Sequence, residues 1–299
     1  MFHVKRIDNS SSEASPQIEQ ISQSCWPARK TVLVSPSHWN PMAKTIAVTN
    51  QKGGVGKTTT AINLAAALAV ADMRVLVVDT DAQANCSSGL GVIKGSLKKS
   101  IYDALMQAEL LSSVIVDTEL DNLKLVPADQ SLTGAAIEIL EMQEREFLLK
   151  RLLAPVLERF DYILIDSPPS LNILTLNGLV AADSVLIPIQ CEYFALEGLT
   201  DLFDTLARVR RTLNPQLSIQ GILLTMFDER TNLSLQVRDD LINHFGSQVL
   251  ETVIPRNVRL AEAPSYGKPI LLYDIRSKGA ESYLRLAKEI LNHEKKGIG

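Results

Sequence analysis

Lys52, Lys57 and Thr58 bracket a glycine-rich run, Lys52-Gly53-Gly54-Val55-Gly56-Lys57-Thr58-Thr59, with the makings of a phosphate cradle. Glycines let successive backbone N–H groups converge on phosphate oxygens with no Cβ in the way. A lysine closing such a turn reaches the β- and γ-phosphates, and the next hydroxyl ligates Mg²⁺. Thr45–Val48 before the turn reads as a strand and the run after Thr58 as a helix, whose N-terminus adds partial positive charge. The spacing is unusual. The glycine expected five residues before Gly56 is replaced by Gln51, and an extra lysine, Lys52, opens the loop.

A phosphate cradle needs carboxylates to organise its metal. The apolar stretch 161–166 ends in Asp166 and turns at once through Ser167-Pro168-Pro169. An aspartate after four apolar residues can hold a water on Mg²⁺ or order the metal site indirectly. A second stretch, 74–79, ends Asp79-Thr80-Asp81-Ala82-Gln83. A strand-end aspartate is by itself a common turn residue. The phosphate loop upstream gives these two a function.

The elements that position these groups follow from the apolar pattern. Strands are expected at 45–49, 74–79, 123–126, 161–166, 184–189, 219–225 and 250–254. Helices are expected at 58–71, 131–158 (in two pieces, with Pro155 near the break), 172–181, 196–213, 233–245 and 280–293. Several strands are continuously apolar, as strands buried on both faces should be. Their alternation with helices predicts an α/β fold: one domain, a mainly parallel twisted sheet with helices on both faces, of phosphate-loop nucleoside-triphosphatase type. Ligands in such folds sit beyond the carboxyl ends of the strands.

Composition sets the bounds. The chain has 299 residues, 46% hydrophobic and 21% charged, with net charge −4. It is not a polycation, so any nucleic-acid contact must come from a local patch. Cys25, Cys86 and Cys191 are scattered, which argues against a disulfide framework or zinc site and fits a reducing cytoplasm. No stretch is long and apolar enough to span a membrane. Residues 1–41 are serine-rich and aperiodic, despite Trp26 and Trp39, and read as a disordered extension before a domain at 42–299.

The loop Lys52–Thr59 resembles the deviant phosphate loop of the ParA/MinD group of ATPases. Residues 166–179, 188–199, 224–228, 253–260 and 262–269 are similar to blocks of its ParA/Soj branch. The resemblance runs from Met42 to about residue 292. It implies Mg²⁺ and ATP as cofactors, with ATP held by Lys52, Gly53, Gly54, Val55, Gly56, Lys57, Thr58 and Thr59. Met226, Pro255 and Asn257 would lie by the base. Thr58, Asp81 and Asp166 would serve the metal. Lys52, Lys57, Asp81 and Asp166 would carry slow, partner-stimulated hydrolysis, with Asp81 orienting the attacking water, Asp79 supporting the metal region from behind it, and Lys52 reaching across an ATP-dependent homodimer. Family members usually have Asp-Pro-Gln-Gly-Asn where this chain has Asp81-Ala82-Gln83-Ala84-Asn85, which should alter the stiffness of that loop.

The same resemblance implies non-specific binding of double-stranded DNA, a ParB-type centromere-binding partner that stimulates hydrolysis and release, and a cytoplasmic, nucleoid-associated protein. The DNA candidates are Arg230, Arg256, Arg259 and Lys268. From Arg256 to Lys278 five cations face two carboxylates, Glu262 and Asp274. Arg208, Arg210 and Arg211 cluster at one helix end, where they also suit the helix dipole. The alternative is a MinD-like membrane-cycling ATPase, which needs a basic amphipathic C-terminal helix. A nitrogenase-type iron protein shares the loop but needs cysteines in a pattern this chain lacks.

Overall fold

A computed structural model describes residues 42–107, 109–192 and 195–296. The serine-rich segment 1–41, with Cys25 and both tryptophans, lies outside them. In chain order the elements are β1 (Lys44–Val48), α1 (Lys57–Val70), β2 (Val75–Asp79), α2 (Asn85–Gly89), α3 (Ile101–Met106), α4 (Leu111–Val114), β3 (Val116–Asp117), β4 (Leu123–Val126), α5 (Leu132–Glu138), α6 (Leu148–Leu153) and β5 (Tyr162–Asp166). There follow α7 (Ile173–Ala181), β6 (Ser184–Gln190), α8 (Ala195–Thr212), β7 (Ser218–Thr225), α9 (Asn232–Phe245), α10 (Val258–Glu262), α11 (Ile270–Tyr273) and α12 (Lys278–Lys296).

The strands form one seven-stranded sheet in the order β3-β4-β2-β5-β1-β6-β7. Every pairing is parallel except β3 with β4, a short edge ribbon that the apolar pattern did not predict. Side chains alternate between the faces. Leu76, Val78, Ile163, Ile165, Ala47, Val185 and Ile187 pack on one face, in two apolar clusters with α3 to α9. On the other face α1 packs against β2 and β5, and α12 packs against α1. Both faces are thus covered, which is why the strand sequences are continuously apolar.

Two expectations need correction. Residues 250–254 are not a strand. Leu250 N donates to Ile222 O at 3.0 Å and Ile254 N to Leu224 O at 2.8 Å, but two N–H groups between them are diverted. Glu251 N and Thr252 N donate to the Glu289 carboxylate of α12 at 2.7 and 2.9 Å, so no ladder forms. The 131–158 helix is broken well before Pro155, which opens a final 3₁₀ stretch at Ala154–Arg159. The main interruption is at 142–147, where Met142 is extended and Glu144 is left-handed. Buried Asn177 on α7 accounts for it: its side chain donates to Arg145 O at 2.8 Å and accepts from Leu149 N at 3.0 Å, replacing helical partners.

Candidate functional site

The site gathers at the carboxyl ends of the parallel strands, as this topology requires. β1 delivers the glycine loop, and β2 and β5 deliver Asp79 and Asp166 side by side in register. The loop has the backbone its glycines permit. Gly54 has φ 75° and Gly56 φ 88°, both left-handed and accessible to glycine without strain. Gly53 and Gly54 are exposed at the mouth, while Val55 is buried beneath.

Lys57 opens α1 and is buried, its Nζ donating to Lys52 O at 2.9 Å. The ammonium is thus folded back over the loop it would serve. Burial lowers its pKa, and the charges of Asp166 and Asp81 nearby pull it back up. Thr58 and Thr59 are half-buried on the first turn. Lys52 is half-exposed and pairs with Glu192 just after β6 of its own chain. Its N–H is held by the Asn50 side chain at 2.9 Å.

Asp166 is fully buried, and both its carboxylate oxygens lack a hydrogen-bond partner, as does the Ser167 hydroxyl beside it. Burial pushes its pKa well up, helped by the charge of Asp79; Thr58 and Lys57 oppose. The Thr58 hydroxyl favours the ionised form without making a hydrogen bond of ordinary geometry to it. An orphaned buried carboxylate beside a lysine and a threonine hydroxyl suits a hydrated divalent cation, which would relieve the cost of its charge. Among the described residues no three acidic, histidine or cysteine side chains could hold a metal unaided. Mg²⁺ keeps waters and takes phosphate oxygens, so it needs no such set.

Asp79 was expected to support the metal region from behind. It is buried and fully engaged: Oδ1 accepts from Asp81 N at 3.1 Å, and Oδ2 from Ser87 N at 2.8 Å and Ser87 Oγ at 2.7 Å. Burial raises its pKa to about 6 despite these bonds. Asp81 is half-buried, with Oδ1 accepting from Gln83 N at 3.0 Å. Three residues on, Ala84 adopts φ 52° and ψ 36°, the left-handed region, at the start of α2. This is the position where the resembled family has glycine.

One residue of the site escaped sequence reading. Thr225, at the end of β7, is buried, and its hydroxyl lies 2.8 Å from Val55 O in the glycine loop and 3.1 Å from Ile189 O in β6. A buried threonine at a strand end carries no sequence signature. Next to it Met226 has φ 48°, strain of the kind that collects at functional sites. The base-binding candidates meet there: Phe227 N donates to Ile254 O at 3.0 Å and Arg256 N to Phe227 O at 3.1 Å, placing Pro255 alongside β7's end. Asn257 caps α10, accepting from Arg259 N at 2.8 Å.

The cations proposed for DNA are dispersed, and three of the four are paired. Arg230 is highly exposed and grips Asp228 with two bonds, at 2.8 and 2.7 Å, holding that carboxylate's pKa at about 2; Arg256 also bears on it. Arg259 bonds Glu262 at 2.9 Å and faces Asp274 at 3.5 Å. Lys268 pairs with Glu119 at 2.9 Å, just beyond β3 at the opposite edge of the sheet from β7. In the helix-end cluster, Arg210 donates to Leu217 O at 2.6 Å, tying the end of α8 to the turn before β7.

Comparison with known proteins gives the family. The family model for an AAA domain matches residues 43–219. The chromosome partitioning protein ParA of Myxococcus xanthus is 53% identical over 86% of this chain and 90% of its own. The sporulation initiation inhibitor protein Soj of Bacillus subtilis is 54% identical over 83% of this chain and 98% of its own. Among solved structures, one from Mycobacterium smegmatis described as cobyrinic acid a,c-diamide synthase with bound ADP and magnesium superposes with a TM-score of 0.76. It is 38% identical and covers 86% of this chain and 97% of that one. A glycine loop with its extra lysine, two in-register strand-end aspartates and relatives at half identity over nearly their full length agree: the chain belongs to the ParA/Soj family of chromosome-partitioning ATPases.

Proposed function

We propose that this chain binds Mg²⁺ and ATP at the β1–α1 loop and hydrolyses the nucleotide slowly to ADP and phosphate, as the switch of a DNA-segregation cycle. The observation that carries this is the orphaned, buried Asp166 carboxylate beside Lys57 and Thr58. The backbone N–H groups of residues 53–59 and Lys57 would hold the phosphates. Thr58 would ligate Mg²⁺, with Asp166 and Asp81 ordering its waters. The metal would spread phosphate charge when bound. Asp81 would orient the attacking water. Met226, Pro255 and Asn257 would border the base.

Lys52 would leave Glu192 and reach the nucleotide of a second copy, so that ATP binding and dimerisation are one event. Arg230, Arg256, Arg259 and Lys268 would then meet DNA phosphates without reading sequence. A ParB-type partner would accelerate hydrolysis and release the dimer, giving a cytoplasmic, nucleoid-associated cycle. The membrane-cycling alternative is less well supported. The apolar face of α12, with Ala280, Tyr283, Leu286, Ala287 and Ile290, is buried in the domain. No helix among the described residues is long and apolar enough to cross a membrane.

The test is the ATPase rate alone, with non-specific duplex DNA, and with DNA plus a cognate ParB-type protein. The proposal expects a low basal rate raised by the pair. A rate indifferent to both, together with co-sedimentation on liposomes in ATP, would favour the membrane reading.

A further inference from the structure

Asp79 does not face the metal region with a free oxygen. It closes a loop. Oδ1 takes the N–H of Asp81 at 3.1 Å, where the segment leaves β2. Oδ2 takes the N–H and hydroxyl of Ser87 at 2.8 and 2.7 Å, where the segment has become α2. The Ser87 oxygen in turn accepts from Ala128 N at 2.9 Å, just past β4. Ser87 is buried, and its hydroxyl both donates and accepts within the protein. The loop between the two tethers holds left-handed Ala84.

We propose that Ser87 is a positioning residue for hydrolysis: through Asp79 it fixes the turn that carries Asp81, and through Ala128 it anchors that turn to the end of β4. This rests on the reading of Asp81 as the group that orients the attacking water. A plain strand-end aspartate would cap one turn. Here one carboxylate holds both ends of the segment, and its second oxygen takes the Ser87 hydroxyl beside that residue's backbone N–H. Asp81 has no tether of its own to the sheet beyond its N–H bond to Asp79; its carboxylate bonds locally to Gln83 N. Removing the Ser87 hydroxyl leaves Ala128 N–H unpaired and Asp79 with one bond fewer, so the loop can drift. The contacts proposed for the nucleotide lie on the β1–α1 loop and do not pass through it.

The experiment uses the full chain with Mg²⁺ and ATP, comparing Ser87→Ala, Ser87→Cys, Ser88→Ala and Asp81→Ala. Ser88 is the control: its hydroxyl bonds only Ala84 O, at 2.8 Å within its own turn. Misplacement on an ångström scale costs roughly 10- to 100-fold, so kcat should fall by that factor in Ser87→Ala with KM for ATP nearly unchanged. Amide exchange across residues 81–87 should quicken. Ser88→Ala should keep wild-type kcat. If Ser87→Ala does not fold, Ser87→Cys fills the same space with a weak donor and should show a partial loss of kcat. An inactive Asp81→Ala beside fully active Ser87→Ala or Ser87→Cys overturns the positioning role alone. Equal loss in Ser88→Ala also overturns it, by showing general loosening of α2. Wild-type turnover in Asp81→Ala removes the underlying reading instead.

Discussion

Replacing Ala84 by glycine separates the stability of the domain from the stiffness of its Asp81 loop. At φ 52° and ψ 36° an alanine bears the steric cost of the left-handed region, about 1–2 kcal/mol, which glycine removes. Against that, glycine frees the unfolded chain by about 0.4–1 kcal/mol. It also deletes a methyl that is only 6% exposed and packed in the cluster beneath β2 and β5, worth about 0.8 kcal/mol. These nearly cancel. The net change should lie within about 1 kcal/mol of zero, a Tm shift of no more than about 4 °C in a domain of this size. The loop itself should loosen, because glycine can leave the left-handed well. Calorimetry of both proteins, with amide exchange across 82–86, tests this. A Tm change beyond about 8 °C in either direction would refute the balance of terms, and unchanged exchange would refute the claim that Ala84 stiffens the loop.

Other expectations follow from the same geometry. Asp166→Asn should stabilise the nucleotide-free protein by about 0.5–2 kcal/mol at pH 7.5 while abolishing turnover, because function holds a charge where folding disfavours one. The folded pKa of Asp166 is raised, so its ionisation costs stability as pH climbs above the unfolded carboxylate range near 4. The Asn variant's advantage should therefore shrink on acidification toward pH 4; an advantage that grows there would contradict the assignment. Thr225→Val is nearly isosteric but strips the hydroxyl from Val55 O, and should cost about 1–3 kcal/mol and weaken ATP binding. Undiminished affinity by calorimetry would show that the contact does not shape the loop. Arg230→Glu and Arg259→Glu should lose duplex binding yet keep ATP-dependent dimers, and wild-type binding should fall steeply with salt. Retained binding in both variants, measured by fluorescence anisotropy, would move the DNA surface elsewhere.

Much of the site was legible because it is local. Lys52–Thr59 is contiguous, and Asp79 and Asp166 end strands whose unbroken apolar runs announce burial on both faces. What escaped depends on residues distant in sequence. The 250–254 segment has a strand's composition, but Glu289 takes its N–H groups from 37 and 38 positions away. The 131–158 pattern is helical until Asn177 captures its backbone. Thr225 matters only because β7 ends beside a loop 170 residues earlier. Charge counting suggested a basic patch between Arg256 and Lys278. The fold assigns both of that segment's carboxylates to Arg259 and brings Glu119 to Lys268, so the patch is less positive locally than its sequence.

Lys57 and its glycine loop are proposed to hold the phosphates of ATP. Calorimetric titration of Mg²⁺ and ATP into the wild-type chain and into Lys57→Gln tests this most directly, with circular dichroism to show that both are folded. Saturable binding to the wild type and none measurable to the variant is the expected result. Equal affinity in the two would contradict it.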